Sequence, residues 1–502
     1  MKNLTGIKVL VLGLGSSGLA LARWSAKCGA QVTVADTRAE PPQLKAWLAS
    51  VSSAEFVHAE MNAALLDKTT FAMVLKSPGL SAASIAGVTD AAQAQGLKIG
   101  NELSLFAQAL ADLKEETAYA PQVIGITGTN GKTTVTSLAG QLVQRAGKTV
   151  AVAGNIGPTM LDTLTERLDA NSLPEVWVLE LSSFQLDDVK NFEPSVATVL
   201  NITQDHLDWH ETFAAYAAAK NNVYGASGLM LLNRNDPLVM AAVPIQVKGK
   251  PTRGYLTYGH DEPKRPGDYG IETVNGMAWL VRAAELDETI KRKRSEKNDE
   301  IELYIQRLMP VDALRIHGLH NATNALASLA LAHALGCALG PMLHGLRDYR
   351  GEPHRVESVA VIDGVEYFDD SKGTNVGATV AALSGLGVRH KLVVILGGVG
   401  KDQDFTPLAL PVSLYARAVV LIGRDAPLIR AALGNCTVTL LGAGSMMDAV
   451  HLATQQAQTG DAVLMSPACA SFDMFDNYEH RARVFCEAVQ ALALEEGVVL
   501  LP

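Results

Sequence analysis

Three α/β units in series are predicted for this 502-residue chain. The prediction rests on two glycine-rich turns, at 13–18 and 127–134, each set between a β-type run and a helical segment, and on short apolar runs that alternate with helical stretches through the rest of the chain. The length exceeds what one core supports and agrees with about three domains.

The first unit opens with a strand from Ile7 to Leu12, the turn Gly13-Leu14-Gly15-Ser16-Ser17-Gly18, an apolar helix from Leu19 to Cys28, and a strand from Gln31 to Ala35 that ends at Asp36. A G-x-G-x-x-G turn between strand and helix, with an acid after the next strand, is the dinucleotide fingerprint. Its backbone N–H groups and helix N-terminus suit a diphosphate. Thr37 and Arg38 add donors for phosphate or base. The same geometry holds NAD or any other nucleotide diphosphate, so an NAD-linked oxidoreductase and a nucleotide site without hydride chemistry both follow. A second phosphate motif downstream makes the oxidoreductase the less economical of the two.

That second motif is Thr127-Gly128-Thr129-Asn130-Gly131-Lys132-Thr133-Thr134, placed after the run Val123 to Ile126. Glycines let the backbone approach phosphate oxygens, Lys132 neutralises β/γ-phosphates, and the Thr133 hydroxyl can ligate Mg²⁺. The strict pattern has glycine where Ile126 stands. The segment is therefore a variant P-loop, with an ordinary Gly-rich turn as the competing reading.

Further buried-strand patterns run from Val176 to Glu180 and from Val196 to Leu200. Glu180 ends the first of these, either as a Mg²⁺ ligand or as a strand-end carboxylate facing solvent. The loop after the second holds Asp205-His206-Leu207-Asp208, where His206 is a metal ligand, an acid–base group or a structural histidine. Lys220 closes an alanine-rich helix and by default is a solvated helix-end lysine. Asn321 and Asn324, three apart in His320-Asn321-Ala322-Thr323-Asn324, offer either an amide pair for an adenine edge or an N-cap.

The stretch 261–309 differs. Its run Lys291-Arg292-Lys293-Arg294, followed by Glu296, Asp299 and Glu300, reads as a solvated mixed-charge insertion in preference to a basic docking patch. The third unit begins near Val356, with apolar runs at Lys391 to Leu396, Ala418 to Ile422, Thr437 to Leu441 and Ala462 to Met465. Around them lie Gly351 to Arg355, Phe368 to Asn375 and Gly397 to Lys401. Three strings that mix cations with small residues at strand ends point to a site for anionic groups.

Composition narrows the class. Apolar residues make up 48% and charged residues 19%, an ordinary globular balance, and the net charge of −10 argues against a general nucleic-acid binder. Five scattered cysteines (Cys28, Cys337, Cys436, Cys469, Cys486) without C-x-x-C suggest neither disulfides nor zinc, and fit a reducing compartment. The N-terminal run resembles a signal peptide, but Lys8, Arg23 and Lys27 interrupt it and its glycines serve the turn. No uninterrupted apolar stretch reaches membrane-spanning length, so a cytoplasmic protein is expected.

Taken together, these motifs resemble the Mur ligases, ATP-dependent amide-bond-forming enzymes of peptidoglycan precursor synthesis. The resemblance spans nearly the whole chain and rests on residues 13–18, Ser77-Pro78-Gly79, Gly128 to Thr134, Gly154-Asn155-Ile156-Gly157, Leu179 to Gln185, Asp205-His206, Asp370-Ser371-Lys372, and Ser466 to Asp473. It implies three domains, a Rossmann-like nucleotide-binding domain at 1–100, a central P-loop ATPase-type parallel-sheet domain at 101–350, and a Rossmann-like amino-acid-binding domain at 351–502.

Within the family the pattern is similar to that of members adding D-glutamate to UDP-N-acetylmuramoyl-L-alanine through an acyl phosphate. The UDP-linked substrate would meet Gly15, Ser16, Ser17, Thr37, Arg38, Ser77, Gly79 and Asn155. ATP would meet Gly128, Thr129, Asn130, Gly131, Lys132, Thr133, Thr134, Asn321, Asn324 and Arg355. One Mg²⁺ would be held by Thr133 and Glu180, and a second by His206 and a Lys220 carbamylated by CO₂. D-Glutamate would meet His354, Lys372, Thr374, Ser471 and Phe472. Lys132, His206, Lys220, Asp370 and Lys401 would serve the chemistry, with His206 or Asp370 taking the amine proton. The implied partners are small molecules, and a monomer is expected. Beside the ligase stand another Mur ligase with a different amino acid, an NAD-dependent oxidoreductase, and a regulatory nucleotide-binding module without turnover.

Overall fold

The computed structural model describes residues 4–67, 70–245, 253–286, 302–316 and 318–498. Its strands form three sheets. The first contains β1 (Lys8–Leu12), β2 (Gln31–Asp36), β3 (Glu55–His58), β4 (Met73–Lys76) and β5 (Lys98–Gly100), in the order β3-β2-β1-β4-β5 with every pairing parallel. The order reverses at β1, where the turn at 13–18 leaves the sheet. Open α/β sheets bind ligands at such a switch point, beyond the C-terminal strand ends.

The second sheet contains β6 (Gln122–Thr127), β7 (Val150–Gly154), β8 (Val176–Glu180), β9 (Val196–Val199), β10 (Leu229–Asn233), β11 (Tyr255–Tyr258), β12 (Tyr269–Val274), β13 (Met277–Glu285) and β14 (Leu303–Pro310). Their order is β14-β13-β12-β11-β10-β9-β6-β8-β7. Strand β6 lies between β8 and β9 in parallel register, so the P-loop, Glu180 and the loop after Val199 leave adjacent strand ends. All five side chains of β8 are buried, which explains its continuous apolar reading.

The third sheet contains β15 (Glu357–Ile362), β16 (Val365–Asp369), β17 (Leu392–Gly397), β18 (Ala416–Ile422), β19 (Thr439–Gly442) and β20 (Ala462–Met465) in the order β15-β16-β20-β17-β18-β19. All pairings are parallel except that of β15 with β16. Strand β17 is buried throughout. Each Val, Leu or Ile so enclosed contributes roughly 1.5–3 kcal/mol of hydrophobic stabilisation.

The stretch 261–309 is not all surface insertion. Strand β12 joins the central sheet by parallel pairing with β11, and β13 and β14 extend it by antiparallel pairing, with Ile271, Leu280, Val281, Ala283 and Met309 buried. Strand β13 carries a continuous apolar run from Met277 to Val281, but β12 and β14 are interrupted by Glu272 and by Gln306 and Arg307, and this hid the three-stranded extension in the sequence. Residues 291–294, Glu296, Asp299 and Glu300 lie outside the described residues. Among the described residues, no helix is long and apolar enough to cross a membrane.

Candidate active site

The P-loop joins β6 to the helix Lys132–Arg145, with Gly128 at φ 155° and Gly131 at φ 83°. Both angles favour glycine, and so does the space. A Cβ on Gly128 would lie 2.9 Å from Leu200 Cβ, and one on Gly131 would lie 2.8 Å from Asn324 Oδ1. The second contact brings the helix Leu319–Ala334 against the loop. The N-cap of that helix is Gly318, so neither Asn321 nor Asn324 caps it, and Asn324 Nδ2 donates to Asn321 Oδ1 at 3.2 Å.

Local bonds stiffen the loop. Thr129 Oγ1 donates to the Thr203 carbonyl (3.1 Å) and lies 3.0 Å from the Tyr216 hydroxyl. Asn130 N–H donates to Asn201 Oδ1 at 2.8 Å, and Asn201 Nδ2 donates back to the Asn130 carbonyl at 3.0 Å. Lys132 Nζ lies 2.9 Å from the carbonyl oxygens of both Gly128 and Thr129. Thr134 is buried in the first turn of the helix.

Glu180 is 1% exposed. Its Oε1 accepts from Asn155 Nδ2 at 2.9 Å, while its Oε2 has no hydrogen-bond partner. A buried carboxylate oxygen without a donor is costly unless a cation meets it, so the solvent-facing alternative for Glu180 falls. His206 sits in left-handed backbone at φ 53°. Its Nε2 is 3.5 Å from Asp205 Oδ2, and its ring meets the Phe184 ring edge-on at 4.8 Å between centroids. Burial lowers its pKa, against the pull of Asp205.

Lys220 contradicts the solvated default. It is 2% exposed, its Nζ donates to the Gly128 carbonyl at 2.9 Å, and it stands 4.6 Å from the Tyr216 ring centroid. Burial, with Lys132 beside it, drives its pKa well below the ordinary lysine value. The side chain turns inward because its helix runs beside the P-loop, a tertiary fact that a helix-end position does not disclose.

Strand ends of the third sheet face this array. Arg355 Nη2 donates to Thr133 Oγ1 at 2.6 Å, and Asn375 Nδ2 donates to Asn130 Oδ1 at 3.1 Å. A cavity of about 260 Å³ lies between the two units, lined among others by Asn130, Asn324, Arg355, Asp370 and Lys372. Asp370 is buried and accepts the Ser466 hydroxyl at 2.6 Å. Burial raises its carboxyl to about 7, with Ser466 and Arg355 opposing.

Lys372 Nζ lies 3.7 Å from the Tyr478 ring centroid, and burial lowers its pKa to about 8. Thr374 N–H donates to the Lys372 carbonyl at 2.8 Å. His354 Nδ1 is 2.7 Å from Asp369 Oδ2. Lys401, at φ 53°, contributes to the lowering of the His206 pKa, and its loop is joined to that of Ser471 by the Val399–Ala470 bridge. Ser471 is buried, whereas Phe472 is 72% exposed. The aromatic ring beside Lys372 is that of Tyr478.

The nucleotide candidates of the first sheet gather at its switch point. Gly15 precedes the helix Ser16–Lys27, Ser16 is exposed and Ser17 half-buried. Ser77 is buried beside Gly13, whose added Cβ would meet Ser77 Cβ at 3.2 Å. An added Cβ on Gly79 would meet nothing within 4 Å. Thr37 and Arg38 are exposed. Arg38 Nε and Nη2 donate to Asp36 at 2.9 and 2.8 Å, and Leu14 N–H also donates to that carboxylate, which lies at about 2 against the cost of burial. Asn155 is apart from this group by chain position and bonds Glu180 instead. Tyr216 and Tyr478 are not legible as site residues in the sequence, because each acts through a distant contact, Tyr216 with Thr129 and Tyr478 with Lys372.

Three family models match the chain. They are the Mur ligase MurD-like N-terminal domain at residues 7–100, the Mur ligase middle domain at 126–332, and the Mur ligase glutamate ligase domain at 354–469. The chain is 64% identical over 493 residues, 97% of each chain, to a UDP-N-acetylmuramoylalanine–D-glutamate ligase of Albidiferax ferrireducens. It is 57% identical to a ligase of the same name from Ralstonia nicotianae, covering 98% of each. Among solved structures it is similar to the MurF ligase of Thermotoga maritima in complex with ADP, with a TM-score of 0.58, 16% identity, and 98% and 97% of the two chains covered. It is also similar to the UDP-N-acetylmuramate–alanine ligase MurC of that organism, with a TM-score of 0.54, 19% identity, and 97% and 100% covered.

Proposed function

The chain belongs to the Mur ligase family, and from that premise we propose that it joins D-glutamate to UDP-N-acetylmuramoyl-L-alanine, converting ATP to ADP and phosphate. The observation that carries the reaction class is the shared cavity, into which the P-loop and the third-unit residues Arg355, Asp370 and Lys372 all project a wall. The amino acid follows from the activity for which the close relatives are named. The ATP requirement favours a cytoplasmic enzyme, acting as a monomer on small soluble substrates. The three domains are taken as 1–100, 101–350 and 351–502.

The residues fit a nucleotide triphosphate and its metal. Gly128 and Gly131 leave no room for a side chain, and Glu180 Oε2 is a buried acceptor without a donor. We assign the phosphates to residues 128–134 with Arg355, and the adenine to Asn321 and Asn324. Thr133 and Glu180 would hold one Mg²⁺, and His206 with a carbamylated Lys220 a second. Bound there, the ions would neutralise charge on the phosphoryl oxygens.

In the first step an oxygen of the substrate carboxylate bonds to the γ-phosphorus as the bridging oxygen leaves with ADP. Lys132 and Arg355 screen two anions that would otherwise repel. The amine of D-glutamate then attacks the acyl carbon, and the tetrahedral intermediate collapses with loss of phosphate. His354, Lys372, Thr374 and Ser471, with Lys401, are assigned to the amino acid and the intermediate. Asp370 is assigned the amine proton, because it lines the cavity and burial brings its carboxyl into the range a base needs at neutral pH.

Phosphate release from ATP, measured with the UDP-linked substrate across a panel of amino acids, tests the proposal. Release is expected with D-glutamate alone. Dependence on L-lysine or diaminopimelate would move the chain to another branch of the family.

A further inference from the structure

Asn375 joins the third sheet to the P-loop by an amide pair. It is 5% exposed and caps the helix Val376–Leu386, its Oδ1 accepting from Ala378 N–H at 2.9 Å. A backbone N–H can only donate, so this cap fixes which side-chain atom is the oxygen and turns Nδ2 toward the central domain. There Nδ2 donates to Asn130 Oδ1 at 3.1 Å and lies 3.4 Å from Asp205 Oδ2, while Asn130 Nδ2 donates back to Asn375 Oδ1 at 3.3 Å. The approach leaves little room for a side chain in the first turn of the helix. A Cβ on Gly377 would stand 3.0 Å from Thr203 Oγ1 and 3.2 Å from Asn130 Nδ2.

The same helix start holds the loop that carries Lys401. Val376 N–H donates to Gln403 Oε1 at 3.0 Å, and Gln403 Nε2 donates to the Gly400 carbonyl at 2.8 Å. From the other side Gly400 N–H donates to Asp425 Oδ2 at 2.7 Å. Next to these anchors Lys401 and Asp402 both take left-handed backbone, at φ 53° and 57°, a conformation that costs energy for residues with a side chain and persists where surrounding bonds impose it. A continuous set of hydrogen bonds therefore runs from the P-loop through Asn130, Asn375 and Gln403 to the loop of Lys401.

We propose that Asn375 is a positioning residue for the ligation, setting the amino-acid end of the site, Thr374 and Lys401, at a fixed distance from the P-loop. The proposal rests on the reading of residues 128–134 as the phosphate site and of Thr374 and Lys401 as amino-acid contacts. The amine must meet an acyl phosphate formed at the other unit, so the reacting atoms belong to two domains and their spacing is set by the bonds that cross between them. Arg355 crosses too, through Thr133 Oγ1, but both groups are assigned to the nucleotide and its metal and leave that bond when these bind. The Asn130–Asn375 pair carries no charge and is compatible with a filled site. A residue whose work ended at capping its own helix would leave amino-acid kinetics indifferent to the identity of the cap.

Serine caps a helix about as well as asparagine but is too short to reach Asn130, so Asn375→Ser separates the two tasks. Its melting temperature should stay within about 2 °C of the native value and its KM values for ATP and the UDP-linked substrate within about twofold, while kcat/KM for D-glutamate falls by about tenfold, the cost of a displaced reacting group. Asn375→Asp keeps cap and length but sets a carboxylate against Asn130 Oδ1 and Asp205, and should lose as much. Asn130→Ala removes the other half of the pair. In a double-mutant cycle the two losses in kcat/KM for D-glutamate should not multiply, the double variant falling within about twofold of the worse single one. Native D-glutamate kinetics in Asn375→Ser, three KM values moving together with the melting temperature, or losses that multiply in the double variant would overturn the proposal while leaving the ligase assignment intact. Absence of turnover by the native enzyme would overturn both.

Discussion

Lys132 and Lys220 share one acceptor: the side-chain nitrogen of each lies 2.9 Å from the Gly128 carbonyl oxygen. Two ammonium groups this close repel, and Lys220, the fully buried one, yields, its burial and then Lys132 driving its pKa well below the usual lysine range. A neutral buried amine is the form that attacks CO₂. The nitrogen bonds to carbon, loses a proton, and leaves an anionic carbamate able to meet a metal ion.

Lys220→Ala should therefore lose activity by on the order of 10²-fold, as expected when charge stabilisation is removed from a site of this kind. Short carboxylic acids, which can fill the space with an anion, should restore part of it. Full activity of the untreated variant in a phosphate-release assay would eliminate the carbamate.

Asp370 carries the next expectation. With its carboxyl raised to about 7, the base form grows in as pH rises through neutrality, so kcat should climb along an acid limb centred there. Asp370→Asn should lower kcat by about 10²-fold or more and abolish that limb. If the limb survives in the variant, the proton goes elsewhere, and His206, whose burial lowers its pKa and so keeps it neutral at pH values below its ordinary range, is the alternative.

Glu102, 1% exposed at the start of the helix Glu102–Thr117, bears on stability. Its folded pKa of about 7 lies above the ordinary value of 4.5, so the unfolded chain gives up this proton first as pH rises. The stability associated with the neutral acid is whole below about 4.5 and is lost progressively up to about 7, a difference on the order of 3 kcal/mol. Glu102→Gln should thus melt higher than the native protein near pH 8 and lose the advantage in acid. Differential scanning calorimetry at the two pH values checks the sign.

The stretch between β13 and β14 should be dispensable. Leu286 N–H donates to the Glu302 carbonyl at 3.1 Å, so the two strand ends already meet. Replacing residues 287–301 with a short turn is expected to leave all three KM values and kcat unchanged within about twofold, since loop length costs little once its ends are held. A selective loss of activity in steady-state assays would give that basic run a role.

Much of the fold was legible because its signals are local. The turns at 13–18 and 127–134 need glycine at particular dihedral angles, and β8 and β17 are buried on both faces, so their sequences are plainly apolar. The strands β12 to β14 were missed because charged and polar residues interrupt β12 and β14, leaving the apolar run of β13 isolated. In the site, Lys132 and Thr133 were readable from their loop, but Lys220 looked like any helix-end lysine. Phe472 attracted notice as an aromatic next to Ser471, yet it points to solvent, and the ring near Lys372 belongs to Tyr478, six residues further on.

By itself the sequence determined the phosphate-binding turns, the α/β class and the family, since each is written in short stretches whose backbone geometry depends on neighbours in the chain. Tertiary structure alone decided which groups meet. Lys220 reaches Gly128 across 92 residues, Arg355 reaches Thr133 across 222, and Asn375 reaches Asn130 across 245. Protonation followed from those meetings, because burial and adjacent charge, not residue type, moved Lys220, Asp370 and Glu102 away from their ordinary values.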